Sequence, residues 1–221
     1  PRKARLLYFD VDPKTGKPTE VGGVEAPDTW PSVSYEPLQA GPDGKSIYYL
    51  AMPPRSDEEV VRFELDEDGK PTLTGTVSGK GIGSSAKPIG DSTMILSPDG
   101  KHIYTISATE HAVGVVEVGE EGKLGFVETV DLNKLVPDPN PESQKWNQTF
   151  AWPALAISPD GKQVYVNLWS YGRGHGDCVG LYNRDAETGK LSLVGKLDWP
   201  EGVKGLRLAF TQDGQAGCFG S

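Results

Sequence analysis

A short turn sequence recurs along the chain at nearly regular intervals and constrains the fold more than any other feature. Three copies read Ser/Gly-Pro-Asp-Gly-Lys-x-x-Tyr, with glycines at 44, 100 and 161, and a degenerate copy has its glycine at 214. The intervals are 56, 61 and 53 residues. In such a turn proline sets the first dihedral, aspartate caps the turn, and glycine supplies a positive φ. Apolar strand-forming residues flank the copies, so each copy predicts a β-hairpin.

A second repeated element lies between these turns. It is an apolar strand, then a charged turn ending in Gly-Lys, then another strand. Its lysines are spaced 53, 53 and 67 residues apart, at Lys17, Lys70, Lys123 and Lys190. Each period therefore holds two hairpins, and no segment shows a convincing helical periodicity. Four short strands in a period of about 50–60 residues are typical of β-propeller blades. The alternative, a β-sandwich with coincidental turns, is disfavoured by the fixed register of the turns.

The two turn types divide the chain into blades with strands a to d. We predict an all-β chain forming a single propeller region over 1–221, with four-stranded antiparallel blades near 33–79, 92–131 and 153–198. A c–d hairpin at 5–22 and an a–b hairpin at 206–219 add up to about a fourth blade. We expect the chain to be part of a larger propeller whose remainder is either missing from this sequence or lies on a second chain, since an unpaired blade edge invites association. A closed four-bladed ring and a two-copy, eight-bladed ring are the alternatives.

The repeats resemble those of the lactonase-type β-propellers, which include 6-phosphogluconolactonase-like, muconate-cyclising and YVTN-repeat surface-layer proteins. The resemblance lies in Ser-Pro-Asp-Gly-Lys-His-Ile-Tyr at 97–104 and in Tyr-Asn-Arg-Asp-Ala-Glu-Thr-Gly-Lys-Leu at 182–191. It covers nearly the whole chain and implies a propeller that is commonly seven-bladed. It also implies a lactone hydrolase or cycloisomerase acting on a small oxygenated acid or lactone.

The motifs behind this resemblance are structural turns, so they specify the blade better than the chemistry. Enzymes of the family tend to carry His or Arg near the channel-facing strands, whereas residues 93–96 and 154–157 contain neither. The alternative is therefore a non-catalytic propeller that serves as a scaffold or subunit for a ligand or protein.

The order of the strands in each blade also distinguishes two rims of the propeller. The a–b and c–d turns share one rim, so the b–c and d–a connections share the other, here called the long-loop rim. All five tryptophans lie in these connections. Because function concentrates on loops held by a rigid scaffold, we predict the site on this rim. Its b–c connections are 51–59, 107–112 and 169–178, and its d–a connections are 23–37, 79–92, 131–153 and 198–205.

The segment Trp-Ser-Tyr-Gly-Arg-Gly-His-Gly-Asp-Cys at 169–178 is the most unusual on this rim. Its glycines allow the backbone to approach a ligand. Arg173 could hold a carboxylate or phosphate, and His175 could act as a general acid or base that Asp177 orients. A flexible surface loop is the alternative reading. The predicted catalytic residues are His175, Arg173, Asp177 and His111, and the predicted ligand-binding residues are Trp169, Tyr171, Arg207 and Arg55.

Composition and charge limit the classes of molecule that the chain is expected to bind. Acidic side chains outnumber basic ones 31 to 22, and no Lys/Arg run exists to follow a phosphate backbone, so no nucleic-acid partner is expected. The apolar runs are shorter than the roughly 20 residues that span a membrane, so no membrane partner is expected either. A small anion or lactone is the predicted ligand. No cofactor is evident, although a carboxylate-bound structural calcium stays an alternative.

Three further features concern processing and redox state. The sequon Asn-Gln-Thr at 147–149 favours a secreted or extracytoplasmic location without establishing one. The sequence opens at Pro1 rather than Met, so we expect an upstream segment. Cys178 and Cys218 either pair with each other or are both thiols. His102, which begins a strand directly after a turn, is expected to be structural or exposed.

Overall fold

The structure is a computed structural model of the chain. It describes residues 5–25, 38–51, 59–82, 93–107, 110–135, 154–168, 178–199, 207–211, 213–214 and 217–220. The side chains at 5, 25, 207–208 and 217–220 lie outside this description. No helix within these ranges is long and apolar enough to cross a bilayer.

The described residues form β-strands joined by short turns. The first hairpin consists of β1 (Arg5–Val11) and β2 (Pro18–Glu25). Blade 1 consists of β3 (Leu38–Ala40), β4 (Ser46–Ala51), β5 (Glu59–Leu65) and β6 (Pro71–Ser78). Blade 2 consists of β7 (Thr93–Leu96), β8 (His102–Ser107), β9 (Ala112–Val118) and β10 (Leu124–Asp131). Blade 3 consists of β11 (Ala154–Ile157), β12 (Gln163–Leu168), β13 (Cys178–Arg184) and β14 (Leu191–Asp198). The last hairpin consists of β15 (Arg207–Phe210) and β16 (Gly217–Gly220).

Each blade is an antiparallel meander of four strands in chain order, which confirms the predicted all-β propeller blade. The end hairpins form two separate two-stranded sheets. Every c–d pair carries one register shift, a β-bulge, at Arg62/Phe63 in blade 1, in 126–128 in blade 2 and at Leu181/Tyr182 in blade 3. The pair β1–β2 has the same shift at Tyr8/Phe9, so the first hairpin has the form of a c–d pair.

The hydrophobic core lies in layers between successive sheets. In β8, Ile103 packs toward blade 1, whereas Tyr104 and Ile106 pack toward blade 3. Leu6 of β1 packs against Val61 and Phe63 of blade 1 in the same manner. Neighbouring sheets cover both faces of β8, and for that reason all six of its residues are buried. Sheets that are neighbours in the sequence are therefore neighbours in space.

The Pro-Asp-Gly turns have the predicted conformation and also link the blades. The glycines of the three Pro-Asp-Gly turns and of the degenerate fourth copy, Gly44, Gly100, Gly161 and Gly214, have φ between 67° and 71°. A Cβ added to Gly100 would lie 2.7 Å from Pro42 of the preceding turn, and one added to Gly161 would lie 3.5 Å from Pro98. The proline of one turn thus packs against the glycine of the next, which explains why both residues recur together.

Candidate functional site

The described residues limit which predicted site residues can be located. Trp169, Tyr171, Arg173, His175, Asp177 and Arg55 lie outside them, and Arg207 begins β15 with its side chain outside the description. His111 is the predicted site residue whose side chain is described. The candidate site is therefore built around His111.

His111 lies in the b–c connection of blade 2, on the long-loop rim, in an uncommon backbone conformation. Its φ is 50°, in the left-handed region that favours glycine. A non-glycine residue there costs on the order of 1–3 kcal/mol and persists only where its surroundings hold it. Such strained residues cluster at functional sites, which is a reason to look at what holds this one.

Hydrogen bonds from two sides hold the His111 backbone. The His111 carbonyl accepts the Leu132 N–H at 2.9 Å, and Leu132 is itself fully buried in the core between blades 2 and 3. On the other side, the carboxylate of Glu110 accepts the Gly81 N–H, and the Glu110 N–H donates to Ser107 Oγ at 3.2 Å. The turn that carries His111 is therefore tied to the d–a connections before and after blade 2.

The segment 79–82 that follows β6 is fitted closely against blade 2. Thr105 Oγ1 donates to the Gly81 carbonyl at 3.0 Å, and Thr129 Oγ1 donates to the Lys80 carbonyl at 2.8 Å. Gly81 has φ 93°, and a Cβ there would lie 2.6 Å from the Gly114 backbone nitrogen. Only glycine permits this approach without a shift of backbone, so Gly81 fixes the position at which Glu110 is anchored.

The side chain of His111 faces a short polar array at the end of β10. Asp131 caps a single 3-10 turn over 132–134: its Oδ1 accepts the Asn133 backbone N–H at 2.9 Å and Asn133 Nδ2 at 2.8 Å. A carboxylate can only accept, so the amide nitrogen of Asn133 must face Asp131 and its oxygen must face away. That oxygen lies 3.4 Å from His111 Nδ1.

This arrangement favours one tautomer of His111. The Asn133 amide oxygen can only accept, so a hydrogen bond between the two atoms requires the hydrogen on His111 Nδ1. In the neutral ring the lone pair is then on Nε2, the nitrogen turned away from Asn133. A neutral imidazole with its hydrogen on Nδ1 can take a proton from water or a hydroxyl group at Nε2.

Asp131, Asn133 and Glu110 were not among the residues predicted from the sequence. Asp131 is the last residue of β10, at the far end of the β9–β10 hairpin from His111 in the sequence, so no local motif connects them. A faint signal exists in Asp131, since Asp is a preferred helix N-cap residue. That signal predicts a turn and does not by itself point to His111.

Two other predicted features are partly located. Trp199, just after β14, is half-buried, and its Nε1 donates to Asn167 Oδ1 of β12 at 3.1 Å. Cys178 is buried at the start of β13, and the side chain of Cys218 lies outside the description. Within the described part of the chain no group of three or more His, Cys, Asp or Glu side chains could hold a metal ion.

Comparison with solved structures identifies the fold. A proposed 6-phosphogluconolactonase from Bacteroides fragilis has a TM-score of 0.64 and 18% identity over 97% of this chain and 57% of its own. A second proposed 6-phosphogluconolactonase, from Bacteroides uniformis, has a TM-score of 0.58 and 18% identity over 98% and 71%. A protein from Lactobacillus plantarum has a TM-score of 0.61 and 19% identity over 96% and 57%.

The chain therefore has the fold of the lactonase-type β-propellers, as its repeats indicated. It spans 57–71% of the length of these three solved structures. No protein-family model matches the sequence, and no curated protein matches it significantly.

Proposed function

We propose that this chain carries part of a lactone-hydrolysing site on the long-loop rim, with His111 as the general base. The observation that supports the proposal most is the Asp131–Asn133–His111 array, which places an amide oxygen 3.4 Å from Nδ1 of a histidine with a positive φ. The names of the solved neighbours favour a lactone as substrate over other acyl compounds.

The proposed reaction is a hydrolysis that needs no redox partner. His111 Nε2 takes a proton from a water molecule as the water oxygen bonds to the lactone carbonyl carbon. The tetrahedral intermediate then collapses, and the ring C–O bond breaks. The proton on His111 passes to the departing alkoxide oxygen, so the imidazole returns to its neutral form and the product is a hydroxy acid. Asn133 keeps Nδ1 protonated throughout and stabilises the imidazolium that forms.

The remaining predicted residues complete the proposal. Arg173 and Arg207 would bind a carboxylate or phosphate on the substrate, because a guanidinium presents paired donors to such a group. His175, oriented by Asp177, is the second candidate for moving a proton. Trp169, Tyr171 and Arg55 would border the ligand on the same rim.

His111→Asn tests the role of His111 directly. Asparagine tolerates the left-handed backbone better than most residues, so the turn keeps its shape while the imidazole is lost. We expect kcat for lactone opening to fall by about 10²–10⁴-fold, with little change in KM, because a general base contributes about that much. Acid release from δ-gluconolactone and 6-phosphogluconolactone, followed in a pH-stat against a buffer blank, measures this.

His102→Asn provides the matched control, since it removes a histidine from the opposite rim. It should retain wild-type turnover. The proposal is wrong if His111→Asn hydrolyses the lactones as fast as the wild type. The scaffold alternative gains support if the wild-type chain opens none of them above the blank.

A further inference from the structure

A second polar cluster lies between blades 2 and 3, on the rim of the hairpin turns, away from His111. At its centre is Arg184, at the end of β13, whose side chain is 2% exposed. Its Nη2 donates to both carboxylate oxygens of Asp99, at 2.9 and 2.8 Å, in the a–b turn of blade 2. Its Nε donates to the hydroxyl of Tyr104 at 2.9 Å, and its Nη1 donates to the Gly161 carbonyl at 3.0 Å.

The fourth partner of Arg184 is a histidine. Arg184 Nη2 lies 2.7 Å from Nδ1 of His102, the first residue of β8. A guanidinium has donors only and stays protonated in proteins, so His102 Nδ1 must accept. His102 is therefore neutral with its hydrogen on Nε2, and Nε2 is buried with no partner among the described residues. This buried histidine, expected to be structural or exposed, is structural.

The ring of His102 cannot rotate away from Arg184. Gly189, in the c–d turn of blade 3, lies directly over it, and a Cβ on Gly189 would fall within 2.8 Å of three ring atoms. The Gly189 carbonyl in turn accepts the Tyr104 hydroxyl hydrogen at 2.9 Å. Blade 3 thus encloses His102 from two directions, with Arg184 on one side and Gly189 on another.

The surrounding charges act on His102 in opposite directions. Burial lowers its pKa below the ordinary histidine value, and the positive charges of Arg184 and Lys101 lower it further, while Asp99 and Glu117 oppose them. Asp185 also interacts electrostatically with the ring, and the Tyr104 hydroxyl binds the same guanidinium as His102. Burial and the charge of Arg184 lower the pKa of His102 more than the carboxylates raise it, so the neutral ring is favoured in the folded chain.

We propose that Arg184, Asp99 and His102 form a pH-sensitive latch between blades 2 and 3, closed while His102 is neutral and opened when His102 is protonated. Protonation places a hydrogen on Nδ1, which then faces an Arg184 donor instead of accepting from it. Because Gly189 blocks the ring, the imidazolium can be relieved only by moving the c–d turn or Arg184 away from blade 2. This device is independent of the lactone proposal.

The sign of the effect follows from proton binding. The unfolded chain binds a proton at His102 near the ordinary pKa of about 6.5, whereas the folded chain resists it. Stability from the latch is therefore complete above that pH and is lost as the pH falls below it. Histidine is the one side chain whose ordinary pKa lies between pH 5 and 8, so carboxylate titration does not obscure this window.

His102→Asn is the informative variant. The Asn oxygen can accept from Arg184 at every pH, so the bond persists but no longer titrates. In thermal unfolding, we expect the wild-type Tm to be about 3 °C or more lower at pH 5 than at pH 7. The variant should show less than half of that shift, and His111→Asn should shift like the wild type. Equal shifts in the wild type and His102→Asn would overturn the proposal.

A second measurement does not depend on the folding of a variant. Imidazole ¹⁵N shifts of the wild-type protein, assigned by through-bond correlation, report the tautomer. We expect the Nε2–H form at pH 7, and its protonation should coincide with broadening of amide signals in 97–104 and 184–191. An Nδ1–H tautomer, or protonation without any change in those amides, would contradict the latch.

Discussion

Arg184→Met should lower the free energy of unfolding by about 2–4 kcal/mol. Removing one partner of a buried ion pair costs about 3–5 kcal/mol because the other partner stays buried without compensation. The side chain of Asp99 is 34% exposed, so water can partly replace the lost guanidinium, and we place the effect below that range. Methionine retains the length and apolar stem of Arg184 and so isolates the loss of its charge and donors.

Lys162→Met is the control for this change. It removes the same charge from the same blade, but its ion pair with Asp160 has side chains that are 78% and 56% exposed. Pairs of that kind contribute about 0–1 kcal/mol, so we expect at most a small loss. Urea unfolding of both variants at pH 7 measures the difference. Equal losses would show that Arg184 is no more important than a surface lysine.

Arg184→Met and Lys162→Met should also differ in how much stability they lose at low pH. Burial by itself would raise the pKa of Asp99, but hydrogen bonds from Ser97, Arg184 and the Lys101 N–H outweigh it and lower the pKa to about 2. Stability from this carboxylate is present above its ordinary pKa of 3.8 and is lost as the pH falls toward 2. Arg184→Met should reduce this loss, because the folded-state pKa of Asp99 then rises toward its ordinary value.

Gly81→Ala should have the second large effect, with a loss of about 2–4 kcal/mol in the free energy of unfolding. The left-handed backbone alone costs roughly 1–2 kcal/mol for a residue with a Cβ. The new methyl would also lie 2.6 Å from the Gly114 nitrogen and 2.7 Å from the Val113 carbonyl carbon, both backbone atoms. The segment 79–82 must therefore move, and the hydrogen bond to Glu110 beside His111 moves with it.

Gly44→Ala separates the conformational cost of a left-handed residue from the cost of the clash between the new methyl and the backbone. Gly44 has a similar left-handed conformation, φ 67°, but a Cβ there would meet nothing within 4 Å. We expect it to show only the conformational cost of about 1–2 kcal/mol and to leave lactone turnover unchanged. Gly81→Ala should lose turnover as well as stability. If both variants were destabilised equally, the close fit of Gly81 against β9 would be refuted.

Much of the fold can be predicted from the sequence because the turns depend on local chemistry. Pro, Asp and Gly at fixed offsets determine the hairpin turns regardless of their surroundings, and the turns set the period of four strands. The repeated Asp99 turn is an example: its glycine has the predicted positive φ, and its aspartate accepts the predicted backbone hydrogen. The blade architecture follows from these local rules.

The sites depend on contacts that local rules do not describe. Arg184 reaches Asp99 and His102 across a separation of 85 and 82 residues, because successive blades face one another. His111 meets Asn133 because the connection after β10 returns to the same rim. The sequence predicted His111 as a candidate, but its positive φ and its tautomer depend on these distant partners.

The most direct test of the base assignment is a double-mutant cycle on His111 and Asn133. The kcat/KM for 6-phosphogluconolactone would be measured for the wild type, His111→Asn, Asn133→Leu and the double variant. If Asn133 acts through His111, Asn133→Leu lowers turnover alone, but it adds almost nothing once His111 is gone. Losses that multiply independently, or an Asn133→Leu variant with wild-type turnover, would contradict an oriented histidine base on the long-loop rim.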